Sequence, residues 1–170
     1  MSGQSPALTR RLADHLSRPV SAAAKARAAL HVLDWAGCAV AGAASPAGRA
    51  MAAGLMAEGQ GRCAVAGTSR GASPLTAALL NGAVGNVLEM DDVDKRAILH
   101  PGPTVIPAAL AAAQSADLDA EGFLAAVVRG YEAVIRVGRA VGPGHYAFWH
   151  NTGTCGPFGA AAAAASAFKL

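Results

Sequence analysis

DAEGFLAAVVRGYEAVIRVGRAV, from Asp119 to Val141, is the stretch of sequence that decides the fold. Its large apolar side chains recur at helical spacing and form one stripe: Phe123, Leu124, Val127, Val128, Tyr131, Val134 and Ile135. The charged side chains fall on the opposite face: Arg129, Glu132, Arg136 and Arg139. The pattern predicts an amphipathic helix, opened by Asp119, that buries one face and keeps its charged face in solvent or at a subunit contact.

Helical signals also dominate the rest of the chain. Serine followed by proline, a cap followed by a first-turn residue, predicts helix starts at Ser5, Ser45 and Ser73, and Pro19 with Ser21 predicts another. The expected helices cover about 5–16, 21–43, 45–58, 73–90, 104–115 and a last segment from 154 or 157 onward. The glycine-rich segment between them is expected to be a loop or small hairpin, with a short strand at 63–66.

The composition agrees with closely packed helices. Of the 170 residues, 53% are hydrophobic, 15% are charged and only 5% are aromatic. This length suffices for one domain with a core and is short for two. We therefore expect a single all-α helical bundle over residues 1–170.

Charge, cysteines and apolar tracts exclude several classes of protein. The formal net charge is +3, but the basic residues are spread singly without interleaved aromatic residues, so we expect no nucleic-acid partner. The three cysteines, Cys38, Cys63 and Cys155, lie too far apart for a disulfide framework or a metal knuckle, which favours a reducing, cytoplasmic setting. No apolar tract reads as a signal peptide or a membrane span; Asp34, for example, interrupts the longest one.

Two segments concentrate the polar chemistry. They are EMDDVDKRAILH, from Glu89 to His100, and HYAFWHNTGTC, from His145 to Cys155. Each joins two expected helices, so both can open at the same end of the bundle and converge on a small ligand. Since helix N-termini favour anions, a carboxylate is the expected substrate.

The second segment offers groups for proton transfer and for anion binding. His150 is a candidate proton carrier, and Thr152, Gly153 and Thr154 offer hydroxyl and backbone donors to an anion. The alternative is that Thr152 or Thr154 caps the helix and the glycines serve tight packing. For Cys155 we expect a small buried packing role. His100, before a proline, is either a second proton carrier or a structural histidine.

The acidic residues of the first segment allow two kinds of chemistry. Asp91 and Asp92 either orient a histidine base by hydrogen bonding or bind a divalent metal together with His100. The metal alternative, with His150 as a further ligand, corresponds to a metal-dependent hydrolase. A solvated acidic turn is the third interpretation of this cluster, which also includes Glu89 and Asp94.

The combination of two longer stretches resembles a known family. LEMDDVDKRAILHPGPTVIPAALAAAQ and GYEAVIRVGRAVGPGHYAFWHNTGTCGPFGAAAAAA, in this order and spacing, look like the MmgE/PrpD family. That family includes 2-methylcitrate dehydratase, cis-aconitate decarboxylase and iminodisuccinate epimerase. The resemblance implies a helical domain, a homodimer, and lyase or isomerase chemistry on a small di- or tricarboxylate by histidine-mediated proton transfer, with no metal or other cofactor.

The resemblance also implies roles for individual residues. The two histidines of the family's motifs match His100 and His150, and the family's acidic motif matches Glu89, Asp91 and Asp92. By this match the expected catalytic residues are His100, His150, Asp91 and Asp92, and the expected substrate-binding residues are Glu89, Thr152, Gly153 and Thr154. The chain departs from the pattern at three positions, where glutamate replaces aspartate at Glu89, valine replaces threonine at Val93 and asparagine replaces proline at Asn151.

Length is a further departure. Family members are longer, and their helical domain is completed by C-terminal helices and covered by an α/β domain that adds a lysine and a tyrosine to the site. This chain is similar to the N-terminal part alone. The alternative function is therefore a catalytically silent helical module for dimerisation or binding.

Overall fold

A computed structural model describes residues 7–56 and 60–170, and within these ranges the all-α prediction is confirmed. The helices are α1 Leu8–Leu16, α2 Ala22–Ala43, α3 Pro46–Leu55, α4 Pro74–Asn86, α5 Gly102–Ser115, α6 Ala120–Val141, α7 Pro143–Tyr146 and α8 Asn151–Phe168. Two short strands, β1 Cys63–Ala64 and β2 Gly71–Ala72, pair antiparallel between α3 and α4. The predicted hairpin is therefore confirmed.

Side-chain caps fix the start of four helices. In each case a serine or aspartate oxygen accepts a hydrogen bond from the backbone amide three residues further on, and the caps are Ser21, Ser45, Ser73 and Asp119. Pro46 and Pro74 occupy the first helical position, where the missing amide costs no intrahelical bond. The predicted start at Ser5 and the predicted end at Glu58 lie outside the described residues.

The core forms where α5, α6 and α8 pack closely. A Cβ atom on Gly130 of α6 would lie 2.4 Å from Val105 Cγ1 and 2.9 Å from the carbonyl oxygen of Gly159 on α8. Only glycine lets the two helix backbones approach so closely. The fully buried Val105, Val127 and other aliphatic side chains fill the space around this contact.

A second, smaller core lies under the hairpin. Met56, Cys63 and Leu80 are buried there. The buried Asn81 of α4 fixes the hairpin, because its amide donates to the Ala64 carbonyl and its oxygen accepts from the Ala66 amide, each at 2.8 Å. The Ala64 carbonyl and the Ala66 amide are thereby paired.

The charged face of α6 is only partly as predicted. Arg129 is half-buried, and its guanidinium donates to the Leu16 carbonyl and to the Ser166 hydroxyl, each at 2.8 Å. Glu132 lies 3.1 Å from His15 on α1. For Arg129 and Glu132 the expectation of a solvated face is therefore corrected, because α1 covers this part of it, while a subunit contact stays a prediction.

Three predicted helix boundaries need correction. Helix α4 ends at Asn86, so Glu89 is outside it and has a left-handed backbone with φ of 53°. Helix α5 begins at Gly102, two residues before the expected start at 104, and holds Pro107 in its second turn. Helix α8 begins at Asn151, earlier than the expected start at 154 or 157, because contacts of its first residues with the loop before α5 fix its start.

Among the described residues no single helix combines the length and hydropathy of a membrane span. Helices α2 and α3 reach that length and composition only as a pair, which is bent by 85°.

Candidate active site

The two polar segments meet at one end of the bundle. The ring centroids of His100 and His150 lie 6.4 Å apart, with the ring planes inclined by 43°. This is the convergence that the sequence predicted, and the separation is within the reach of one small acid that contacts both rings. His100 precedes α5, whereas His150 is the residue before the first turn of α8.

His100 is held by a buried carboxylate. Asp91 Oδ2 lies 2.8 Å from His100 Nδ1, and the Asp91 side chain is only 1% exposed. The other oxygen, Oδ1, accepts from the Asn86 amide at 3.0 Å. Since an ionised carboxylate only accepts, this contact places the proton of a neutral His100 ring on Nδ1 and leaves the lone pair on Nε2.

Contacts with α8 set the position of the loop that carries His100. The backbone amide of His100 donates to the Thr152 hydroxyl at 3.0 Å, and the buried Asn151 amide donates to the Ala97 carbonyl at 2.7 Å. Asp94 closes the loop on itself, because its carboxylate accepts from the backbone amide of Ala97 at 2.8 Å. The two histidine segments are therefore bonded to each other rather than merely adjacent.

His150 lies at the N-terminus of α8, which can attract an anion. Its side chain is exposed and makes no capping hydrogen bond to the helix. The backbone amides of the first helical turn have no acceptor within the helix, so they are available to a carboxylate. At Gly153 no atom lies within 4 Å of where a Cβ would be, which leaves the backbone open to a ligand.

The other two predicted binding residues of this segment have protein partners. Thr152 accepts from the His100 amide as described, and the Thr154 hydroxyl lies 3.0 Å from His145 Nε2. Neither threonine provides the side-chain cap that the alternative interpretation expected, because both lie within the first turn of α8. Cys155 is buried, and burial raises the pKa of its thiol, in agreement with the predicted packing role.

Asp92 points away from the two histidines. Its carboxylate accepts from the Gly102 amide and from the Tyr131 hydroxyl, each at 2.8 Å, and Oδ2 lies 3.1 Å from His31 Nδ1. Burial raises the pKa of Asp92 above its ordinary value, although the hydrogen bonds from Tyr131 and Gly102 oppose the shift. The structure thus separates the two adjacent aspartates that the sequence placed in one site.

Glu89 and Val93 are exposed at the surface. In the described part of the chain, the Glu89 carboxylate forms no ion pair with either histidine.

The metal-dependent alternative lacks a suitable set of ligands. Within residues 7–56 and 60–170, no three histidine, cysteine, aspartate or glutamate side chains gather in a geometry that would hold a metal ion. Asp91 is engaged by His100 and Asn86, and Asp92 by a different set of donors. This arrangement of the described residues does not support the metal-dependent hydrolase.

Three residues of this region were missed from the sequence: His31, Asn86 and Tyr131. His31 and Asn86 lie within helical segments and carry no local motif. Tyr131 did have a signal, because it belongs to the apolar stripe of α6 and a buried tyrosine hydroxyl needs a partner.

The fold and this pair of loops define a helical domain with a histidine-lined polar end. The MmgE/PrpD N-terminal domain matches residues 7–170. The chain belongs to the MmgE/PrpD family.

Two similar proteins come from Aspergillus. The chain is 37% identical over 123 residues to the cis-aconitate decarboxylase-like protein oryM of Aspergillus oryzae, a match that covers 66% of this chain and 25% of the relative. It is 31% identical over 121 residues to the cis-aconitate decarboxylase of Aspergillus terreus, covering 68% of this chain and 25% of the relative. The chain spans about a quarter of the length of these curated relatives.

Proposed function

We propose that the chain carries the proton-transferring part of an MmgE/PrpD-type lyase or isomerase that acts on a small di- or tricarboxylate. The observation that carries this proposal is the Asp91–His100 pair with the His150 ring 6.4 Å away. A buried carboxylate that holds one ring nitrogen fixes the tautomer of a histidine base and stabilises its protonated form.

The two histidines divide the proton transfers. His100 removes the proton next to a substrate carboxylate through Nε2, because Nδ1 is engaged by Asp91. His150, which is exposed and faces the same space, gives a proton to the leaving hydroxyl or to the carbanion. In the decarboxylation of an unsaturated acid such as cis-aconitate, carbon dioxide leaves from the methylene carbon, the double bond shifts by one position, and the same histidine protonates the far carbon of the former double bond, which bears a carboxylate.

Anion binding at the start of α8 supports a carboxylate substrate. The amides of its first turn have no acceptor within the helix, the backbone at Gly153 is open, and His150 is the residue directly before this turn. The Aspergillus terreus relative is named as a cis-aconitate decarboxylase. A tricarboxylate is therefore the first substrate to test, and Glu89 remains a proposed contact for a distal part of it.

A second candidate is a helical binding or dimerisation module without turnover. It is favoured by the fact that the chain spans only a quarter of the relatives, whose remaining length is free to supply further groups. The two candidates differ in one observable, which is turnover of a carboxylic acid.

The test is a turnover assay on cis-aconitate, 2-methylcitrate and related acids, with products followed by NMR. It uses the chain and a chimera in which the chain replaces the matching N-terminal region of the Aspergillus oryzae relative. We expect weak binding and slow turnover by the chain, faster turnover by the chimera, and a loss of about two orders of magnitude or more in either His100→Ala or His150→Ala. Unchanged turnover in both variants would remove the proton-transfer assignment.

A further inference from the structure

The carboxylate of Asp92 joins three elements of the fold. It accepts hydrogen bonds from the Gly102 amide at the start of α5 and from Tyr131 on α6, and it lies 3.1 Å from His31 on α2. Only 17% of the Asp92 side chain is exposed. Each of its two oxygens therefore accepts a hydrogen bond from a group inside the protein.

This contact connects the two ends of the segment that carries the Asp91–His100 pair. Asp92 directly follows Asp91 in the chain, and Gly102 comes two residues after His100. The bond from the Gly102 amide to Asp92 thus closes the segment at its base. We therefore expect a shift of the Asp92 carboxylate to disturb both ends of this segment.

The backbone at Gly102 packs tightly against the side chains of Asp92 and Tyr131. A Cβ atom on Gly102 would lie 2.6 Å from Asp92 Oδ1 and 3.3 Å from the Tyr131 hydroxyl oxygen. The backbone after His100 is thus packed directly against the carboxylate and its phenolic donor. Small changes in their position are transmitted to His100 rather than absorbed by free space.

Tyr131 is a permanent donor in this contact. Burial, together with the negative charge of Asp92, raises the pKa of Tyr131 above its ordinary value, so the hydroxyl keeps its proton at neutral pH. Removal of this donor leaves Oδ2 of a largely buried carboxylate with His31 alone.

We propose that Tyr131 and His31 are positioning residues, which act through Asp92 and Gly102 to hold His100 in its pairing with Asp91. The effect of this positioning on turnover rests on the function proposed above, whereas its effect on the orientation of the His100 ring does not. Neither residue contacts the space between His100 and His150 through its own hydrogen bonds.

The experiment measures the His100 ring directly. In two-bond ¹H–¹⁵N NMR spectra of the chain, with His100 assigned from a His100→Gln sample, the wild type should show a single tautomer with the proton on Nδ1. Tyr131→Phe, which removes only the hydroxyl, should broaden this signal or mix the tautomers. Where the chain turns over a carboxylic acid, kcat should fall by roughly tenfold to a hundredfold with a smaller change in KM, as expected for a misplaced catalytic group.

Two further variants separate positioning from general damage. His31→Asn keeps a donor near the place of Nδ1 and should behave as the wild type, whereas His31→Leu should resemble Tyr131→Phe. The matched control is His15→Gln, which alters a different histidine–carboxylate contact, between α1 and Glu132, the residue after Tyr131 on α6. We expect the control to leave the His100 signal unchanged.

The result that overturns the proposal is an unchanged His100 signal in both Tyr131→Phe and His31→Leu. A changed signal in a chain that turns over no carboxylic acid, even as the chimera, supports the positioning role and contradicts the proposed function. The two claims therefore fail by different readouts.

Discussion

At the scale of single residues, Asp91 and Asp92 differ because successive side chains leave the backbone in different directions. Asp91 faces His100 and Asn86, while Asp92 faces the start of α5 and the Tyr131 hydroxyl. One carboxylate thus sets the tautomer of the histidine, and the other holds the segment on which that histidine lies. The same residue type serves two purposes one position apart.

Replacing Asp91 tests the first of these roles. Asp91→Asn keeps the size of the side chain but offers an amide in place of a pure acceptor, so His100 loses the partner that fixes its tautomer. We expect turnover of the carboxylic acid by the chimera to fall by about two orders of magnitude or more. The control is Asp14→Asn, an exposed carboxylate on α1. Equal turnover in the two variants would contradict the role of Asp91.

The residue types alone predicted part of this site. His100 and His150 were predicted because each lies in a polar segment between helices, and segments of that kind gather at the ends of a bundle. His31 was not predicted, because a histidine among alanines and leucines gives no local sign of its partner. Its contact with Asp92 joins positions 31 and 92, and only the packing of α2 against the rest of the bundle brings them together.

At the scale of elements, the close approach of α6 and α8 depends on two facing glycines. Gly130→Ala would place a methyl group 2.4 Å from Val105 Cγ1 and 3.0 Å from the Ala163 Cβ, so the helices must separate. We expect a loss of about 1–3 kcal/mol in the free energy of unfolding, measured by urea denaturation.

The matched control for this substitution lies on the same helix pair. At Gly153 of α8 a Cβ meets no atom within 4 Å, so Gly153→Ala should keep the stability or raise it by up to about 1 kcal/mol through helix propensity. Equal stability of the Gly130 and Gly153 variants would show that the helix contact is not as tight as described.

The loop between α4 and α5 should show a dependence on acid. Burial by itself raises the pKa of Asp94, but hydrogen bonds from the Ala97 amide and from Arg139 outweigh it and lower this pKa below the ordinary value. A lowered pKa in the folded state contributes stability that is present above the unfolded value, near pH 4, and is lost as the pH falls through the folded value.

Asp94→Asn should remove this contribution. We expect the variant to be less stable than the wild type by about 1–3 kcal/mol at pH 7, with a difference that shrinks below about pH 4. Thermal unfolding followed by circular dichroism at several pH values gives the comparison. A difference that stays constant down to pH 2 would contradict the contribution of the Asp94 charge.

Helix starts that depend on local capping were predictable, whereas those that depend on distant contacts were not. Ser21, Ser45 and Ser73 cap their own helices, so the signal lies within four residues. The start of α8 at Asn151 instead depends on the Ala97 carbonyl and the His100 amide, some fifty residues away. No local pattern contains that information.

At the scale of the whole molecule, the described chain leaves large apolar side chains in contact with water. Leu33 is 70% exposed, Leu75 is 80% exposed and Trp149 is 65% exposed. Exposed apolar surface favours association, which supports the homodimer expected from the family resemblance. The homodimer remains a prediction. Multi-angle light scattering at several concentrations should give the mass of a dimer or larger assembly, and a monomer at every concentration would contradict it.

We propose that His100 and His150 move protons to and from a carboxylic acid. Solvent isotope exchange measures this step. The chimera is incubated with cis-aconitate and related acids in D₂O, and deuterium in the substrate and the product is followed by NMR and mass spectrometry. We expect deuterium at a carbon next to a carboxylate. The rate of its incorporation should fall by about a hundredfold or more in His100→Gln and in His150→Gln, but not in His15→Gln. Exchange at the wild-type rate in both histidine variants would contradict it.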